Sequence, residues 1–130
     1  MIPNSNFFPK SKIIPLDKFF NKVLYDKKNG YYSSKFPFGN KGDFVTSPNI
    51  SNLFSEIIGI WFVSTWEKLG KPEKFNIVEL GPGDGNFTKI IINIFLNFPE
   101  FYKSVNIFLY EKSKFLIDKQ KTNIKDSKVK

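Results

Sequence analysis

Cysteine, histidine, arginine and alanine are all missing from the 130 residues. Without cysteine there is no disulfide and no thiolate nucleophile. Without histidine as well, the usual zinc-ligand sets are excluded, and no metal site is expected. Without arginine the chain lacks the planar fork that grips phosphates and base edges bidentately. The formal charge of +8 is carried by lysine alone, and seven of the 20 lysines fall within residues 112–130. That run reads as a solvated helix and tail, with no specific nucleic-acid partner. The skew toward Lys, Asn, Ile and Phe has the look of A/T-rich coding DNA. Long apolar runs are also absent: Ile57 to Val63 is far too short to span a bilayer, so no membrane insertion is expected. The opening "MIPNSNFFPK" has no charged-then-apolar signal pattern and no arginines for a transit peptide, and a bacterial cytoplasmic location is the expectation. What the chain does have is 41% hydrophobic residues and 18% aromatics, a globular composition for one domain at most.

Punctuation divides the chain. Residues 1–15 hold three prolines and read as an irregular arm. A short amphipathic helix is predicted from Leu16 or Asp17 to Asp26, with Gly30 as its stop. Residues 30–48 are rich in Gly, Pro, Ser and Asn and read as a long functional loop. A helix follows, with Ser47 as cap and Pro48 in its first turn. Its predicted core stripe is Ile50, Leu53, Phe54, Ile57, Ile58, Trp61 and Phe62, with Trp66 one turn on, and it ends at Gly70 before Pro72. "FNIVEL", 75–80, and "VNIFLY", 105–110, read as buried strands. Between them Phe87, Ile90, Ile91, Ile94, Phe95 and Phe98 mark a helix that stops before Pro99. "SKFLIDKQK" starts another. Strands alternating with helices imply an α/β fold with a parallel sheet and right-handed crossovers, its ligand outside the carboxyl ends of the strands. The expected organisation is 1–49 as arm, short helix and active-site loop, and 50–130 as the first part of the ligand-binding domain.

"VELGPGDGNF" opens at one of those ends. Glycines let a ligand approach the backbone and permit positive φ, and Pro82 stiffens the turn. The following helix offers unpaired N–H groups to an anionic ligand end. Glu79 is placed to accept from a donor. Glu111 ends the second strand, where two carboxylate oxygens fit the vicinal hydroxyls of a ribose. A dinucleotide fingerprint needs a third glycine where Asn86 stands. The pattern is instead E-x-G-x-G-x-G, the S-adenosylmethionine form. A dinucleotide site and a purely structural turn remain as alternatives.

"GYY", "GDFVTSPNIS", "GIWFVSTWEKLGKP", "VELGPGDGNF" and "YEKSKFLIDKQ" resemble, in this order and over roughly residues 24–120, the S-adenosylmethionine-dependent methyltransferases of the mitochondrial complex I assembly type and their bacterial relatives. The resemblance implies a Rossmann-like class I methyltransferase fold, S-adenosyl-L-methionine as cofactor, and a protein arginine as acceptor, in mitochondria on a respiratory complex I subunit. It implies that Glu79, Gly81, Pro82, Gly83 and Gly85 line the methionine part and that Glu111 holds the ribose. It places Asp43, Phe44, Thr46, Ser47 and Pro48 in a loop facing cofactor and substrate. Three positions depart from the family pattern: Asn49 for Glu, Ser55 for Gly, and Lys114 for Pro.

If the acceptor is a guanidinium, carboxylates must orient it and help remove a proton, and Asp43 and Glu56 are the candidates. Asp43 also reads as a turn-fixing residue, and Glu56 as a solvated helix residue. Trp61 and Trp66 read as core. Tyr31 and Tyr32 read equally as loop anchors or as cofactor contacts. A non-catalytic assembly module that keeps the fold is the competing reading. Only two strands are predicted, and "NIKDSKVK" reads as helix or linker. The chain is therefore expected to be the front part of a longer enzyme, inactive alone, with the adenine-holding and acceptor-side residues beyond Lys130.

Overall fold

The computed structural model describes residues 13–34, 43 and 51–130. Its first element, α1 (Leu16–Tyr25), buries no residue. It ends where the Asp26 carboxylate accepts from the amides of Lys28 and Asn29, both at 3.0 Å, an Asx-type turn that competes with helix continuation. Gly30 is therefore not the helix stop. It is needed because a Cβ there would lie 2.4 Å from the backbone nitrogen of Asp26. The next four residues form α2 (Tyr31–Ser34), a single turn in a stretch expected to be loop.

The long helix α3 (Asn52–Lys68) starts at Ser51, whose hydroxyl accepts from Leu53 N at 3.1 Å. The expected cap, Ser47 with Pro48, lies outside the described residues. The helix also faces a different way from the predicted stripe. Its buried residues are Ser55, Gly59, Val63 and Trp66, while Leu53, Ile57, Ile60 and Trp61 are all more than half exposed. The reason is close helix packing. A Cβ on Gly59 would sit 3.2 Å from Ile94, so only small residues fit that seam. The expectation that Trp61 is core fails. That for Trp66 holds, with its indole N–H donating to Pro72 O at 2.9 Å.

Strands β1 (Phe75–Leu80) and β2 (Val105–Tyr110) pair in parallel, Phe75 opposite Val105 through Leu80 opposite Tyr110. Between them run α4 (Asn86–Phe95) and α5 (Pro99–Ser104). The core joins Val63 and Trp66 of α3, Ile91, Ile92 and Phe95 of α4, Phe101 of α5, and Ile77, Val105 and Ile107 of the sheet. Phe101 is its hub, edge-on to Phe95 at 4.7 Å and to Trp66 at 5.5 Å between ring centroids. Sequence reading missed α5. It takes Phe98 for core, but Phe98 is 40% exposed.

After β2 comes α6 (Lys114–Asn123), capped by Ser113. The last three residues are neither helix nor linker. Ile107 N donates to Lys128 O and Lys130 N to Ile107 O, each at 2.9 Å, so Val129 lies parallel to Ile107 on the edge of β2 away from β1. The expected α/β architecture with a parallel sheet is what the chain forms. No described helix is long and apolar enough to cross a membrane.

Candidate functional site: a glycine turn at the end of the sheet

β1 ends in Glu79-Leu80 and runs into Gly81-Pro82-Gly83-Asp84-Gly85. All three glycines have positive φ, +69°, +60° and +79° respectively, a region that costs other residues about 1–2 kcal/mol each. The Gly85 amide donates to Pro82 O at 2.9 Å and closes the turn. The Gly81 amide donates to Tyr110 O, also at 2.9 Å, so the turn is stitched to the last residue of β2 and Glu111 follows one peptide bond later. Two elements 30 residues apart in register thus place Glu79, the glycine turn and Glu111 on one carboxyl edge.

The glycines differ in what surrounds them. A Cβ on Gly81 would meet nothing within 4 Å, so that position opens on free space where a ligand can approach. A Cβ on Gly85 would lie 2.6 Å from Ile124 Cδ1, so that glycine answers to packing by α6. Pro82 is buried. Asp84 caps the helix that follows: its Oδ1 accepts from Asn86 N at 3.1 Å. The first amide of α4 is therefore engaged by Asp84.

Glu79 is largely buried and accepts from the hydroxyl of Thr88, a buried residue on the inner face of α4. Burial pushes its carboxyl above the usual carboxylate range, partly offset by the Thr88 hydroxyl, while Asp84 adds to the rise. Thr88 was not predicted as a site residue; the signal was a lone polar residue on an Ile and Phe helix face. Glu111 stands half-exposed, and one of its oxygens is committed. Oε1 accepts from Lys112 N at 2.7 Å and Ser113 N at 2.8 Å, which leaves Oε2 for a ligand.

The N-terminal tyrosines close in beside Glu111. Ser113 donates its hydroxyl to Tyr32 O at 2.5 Å. Lys112 reaches Asn21 and lies 4.7 Å over the Tyr25 ring, which stands 5.6 Å from that of Tyr32. Tyr31 and Tyr32 are anchors in this arrangement. Tyr31 donates to the carboxylate of Asp43, and its phenol is pushed up to about 12 by loss of hydration and by that carboxylate. Phe44, Thr46, Ser47 and Pro48 lie outside the described residues, and Glu56, on the second turn of α3, is not drawn into the tyrosine cluster. Among the described residues no cluster could hold a metal ion.

An acidic strand end, a three-glycine turn and a second acid at the neighbouring strand end thus share the carboxyl edge of one parallel sheet in an α/β protein. The family model described as "Putative S-adenosyl-L-methionine-dependent methyltransferase" matches residues 57–130, and the chain belongs to that family. It is similar to "Protein arginine methyltransferase NDUFAF7, mitochondrial" of mouse, 39% identical over 118 residues, 89% of this chain and 27% of that protein. The human protein of the same name is 37% identical over the same share of each. The Drosophila homolog is 42% identical over 87 residues, 67% of this chain and 20% of that protein. The chain thus spans about a quarter of the length of these relatives, or less. Its fold also matches a crystal structure from Burkholderia thailandensis bound to S-adenosyl-homocysteine. That match has a TM-score of 0.64 and 23% identity, and covers 85% of this chain and 28% of that one.

Proposed function

We propose that this chain carries the cofactor-binding part of an enzyme that transfers a methyl group from S-adenosyl-L-methionine to a protein side chain, with arginine as the acceptor. The observation that supports it best is the Gly81 position. It is a left-handed residue with open space where a Cβ would be, one hydrogen bond from the strand end that carries Glu111 and two residues from the half-buried Glu79. Bound S-adenosyl-L-methionine supplies a methyl on a sulfonium, already a good leaving group.

The residues of the chain then divide the remaining tasks. Glu79, held by the Thr88 hydroxyl, is the carboxyl group we assign to the cationic methionine end, whose positive charge favours its ionised form against the cost of burial. Gly81 and Gly83 let the backbone approach. Glu111 offers Oε2 to a ribose hydroxyl while Oε1 holds the start of α6. Asp43, held by Tyr31, is the group we assign to orient a guanidinium and take its proton; Glu56 is the second candidate. The mouse and human relatives are named protein arginine methyltransferases, which supports the acceptor. A respiratory complex I subunit is the substrate implied by the resemblance, and the bacterial cytoplasm is the compartment we propose.

The test is to incubate the protein, as its gene encodes it, with methyl-labelled S-adenosylmethionine and a cell extract, then hydrolyse the product. Label recovered as methylarginine is expected. Cofactor binding without any label in protein would favour a non-catalytic assembly module, and label in another residue would overturn the acceptor.

A further inference from the structure

Three successive residues of the glycine turn are each met by one residue from the end of α6. The side-chain amide of Gln120 donates to Gly83 O at 2.7 Å, that of Asn123 donates to Asp84 O at 3.0 Å, and Ile124 fills the space against Gly85. Gln120 is 6% exposed, a buried polar side chain in a helix whose other buried residue is Leu116, one turn earlier. A buried carboxamide is costly unless it is satisfied. Its bond runs to a backbone carbonyl 37 residues earlier, inside the turn itself. The far end of α6 is fixed as well: Glu111 accepts from the amides of Lys112 and Ser113, and Ser113 donates to Tyr32 O. The helix is thus a strut gripped at its start by the second strand end and the tyrosine segment, and gripping the glycine turn at its other end.

We infer that Gln120 is a positioning residue for cofactor binding, assisted by Asn123. By holding the carbonyls of Gly83 and Asp84 on the side facing α6, the two carboxamides keep three left-handed glycines in one conformation, and Gly81 then stays open for ligand. Glycines free of that clamp would exchange among the many conformations open to them, and ligand binding would have to order the turn anew. This rests on the reading of the turn as an S-adenosylmethionine site, and the experiment below separates the two.

The protein as encoded by its gene is prepared as wild type, Gln120→Met and Asn123→Ala. Methionine keeps the length and shape of glutamine and removes the donor. Two readouts are taken: affinity for S-adenosyl-homocysteine by calorimetry, and the Gly83 carbonyl carbon resonance together with hydrogen exchange at the Gly85 amide. Gln120→Met is expected to weaken binding about five- to thirty-fold, because a buried acceptor loses its donor. The Gly83 carbonyl is expected to shift and the Gly85 amide to exchange faster, signatures that mere loss of packing in α6 does not produce. Asn123 is exposed, so Asn123→Ala leaves the core intact and keeps the test available if Gln120→Met fails to fold; a two- to fivefold weakening is expected. Affinity within twofold and an unchanged Gly83 resonance in a folded Gln120→Met variant, or both unchanged in Asn123→Ala, would overturn the proposal. A wild type that binds no S-adenosyl-homocysteine would instead overturn the ligand reading, while the resonance and exchange readouts still decide whether Gln120 holds the turn.

Discussion

The hydroxyl of Thr88 on α4 donates to the carboxylate of Glu79 near the end of β1, and this is the bond that joins the glycine turn's strand to its helix. Burial raises the carboxyl of Glu79, so the folded protein holds its proton to higher pH than the unfolded chain does. The sign follows from linkage. Stability from this group is fully present below the ordinary carboxylate range, falls as pH rises from there through the raised folded value, and stays lowered above it. Glu79→Gln, which keeps the bond to Thr88 as an acceptor and removes the charge, should flatten that part of the pH–stability curve and leave neutral-pH stability equal or higher. Urea titrations from pH 4 to 8 check this, and a steeper curve in the variant counts against it. The same variant should lose more affinity for the sulfonium cofactor than for its neutral thioether product.

Glu111→Ala removes two jobs at once. The ligand-facing Oε2 is lost, and so are the two amide bonds that start α6. Affinity for S-adenosylmethionine should fall by roughly tenfold or more, given about 1.5–3 kcal/mol for a charge-assisted bond before water compensates. Helix-start loss should cost a further ~1 kcal/mol of stability. A cofactor affinity within twofold of wild type would contradict the ribose role.

Gly81 and Gly85 should separate under the same substitution. Gly81→Ala meets open space, so its stability cost is the left-handed strain alone, about 1–2 kcal/mol, while its methyl enters the ligand's approach. Gly85→Ala carries that strain and also pushes on Ile124 and Gln120. Calorimetry and urea unfolding should therefore show affinity loss dominating in the first and stability loss in the second. Equal effects of both kinds in both variants would remove the distinction.

Asp43→Ala should reduce turnover more than cofactor affinity, because Asp43 is assigned to the acceptor side. Tyr31→Phe should give the same pattern at smaller amplitude, by removing one hydrogen bond that orients Asp43. With its phenol pushed up to about 12, Tyr31 remains a donor throughout ordinary assay conditions, so no break in a pH–rate profile below pH 10 belongs to it. A loss of cofactor affinity equal to the loss of turnover in Asp43→Ala would place that residue on the cofactor instead.

Both strands lie where the sequence predicts them, since "FNIVEL" and "VNIFLY" are short apolar runs bounded by clear breakers. The glycine turn and its two flanking acids were legible for the same reason: residues with special backbone needs carry their signal locally. The facing of α3 was not. Apolar residues occur on most of its circumference, and the buried side is chosen by Gly59 fitting against Ile94, a contact between helices that no single-helix periodicity contains. Ser55 carries a small cost on that buried side, its hydroxyl having no partner among the described residues. The pairing of Val129 with β2 and the reach of Gln120 to Gly83 were equally hidden, because both join segments more than 20 residues apart. Asp43 and Glu56, proposed together as carboxylates for the acceptor, are not joined by any contact among the described residues.

Calorimetric titration of the protein encoded by the gene with S-adenosyl-homocysteine, wild type against Gly83→Val, tests the central claim most directly. Gly83 has φ +60°, where a β-branched side chain is strongly disfavoured, so the substitution distorts the turn at its middle. The account predicts saturable one-to-one binding by the wild type that the valine variant abolishes while it still unfolds cooperatively. No binding by a cooperatively folded wild type, or equal binding by the two proteins, would contradict it.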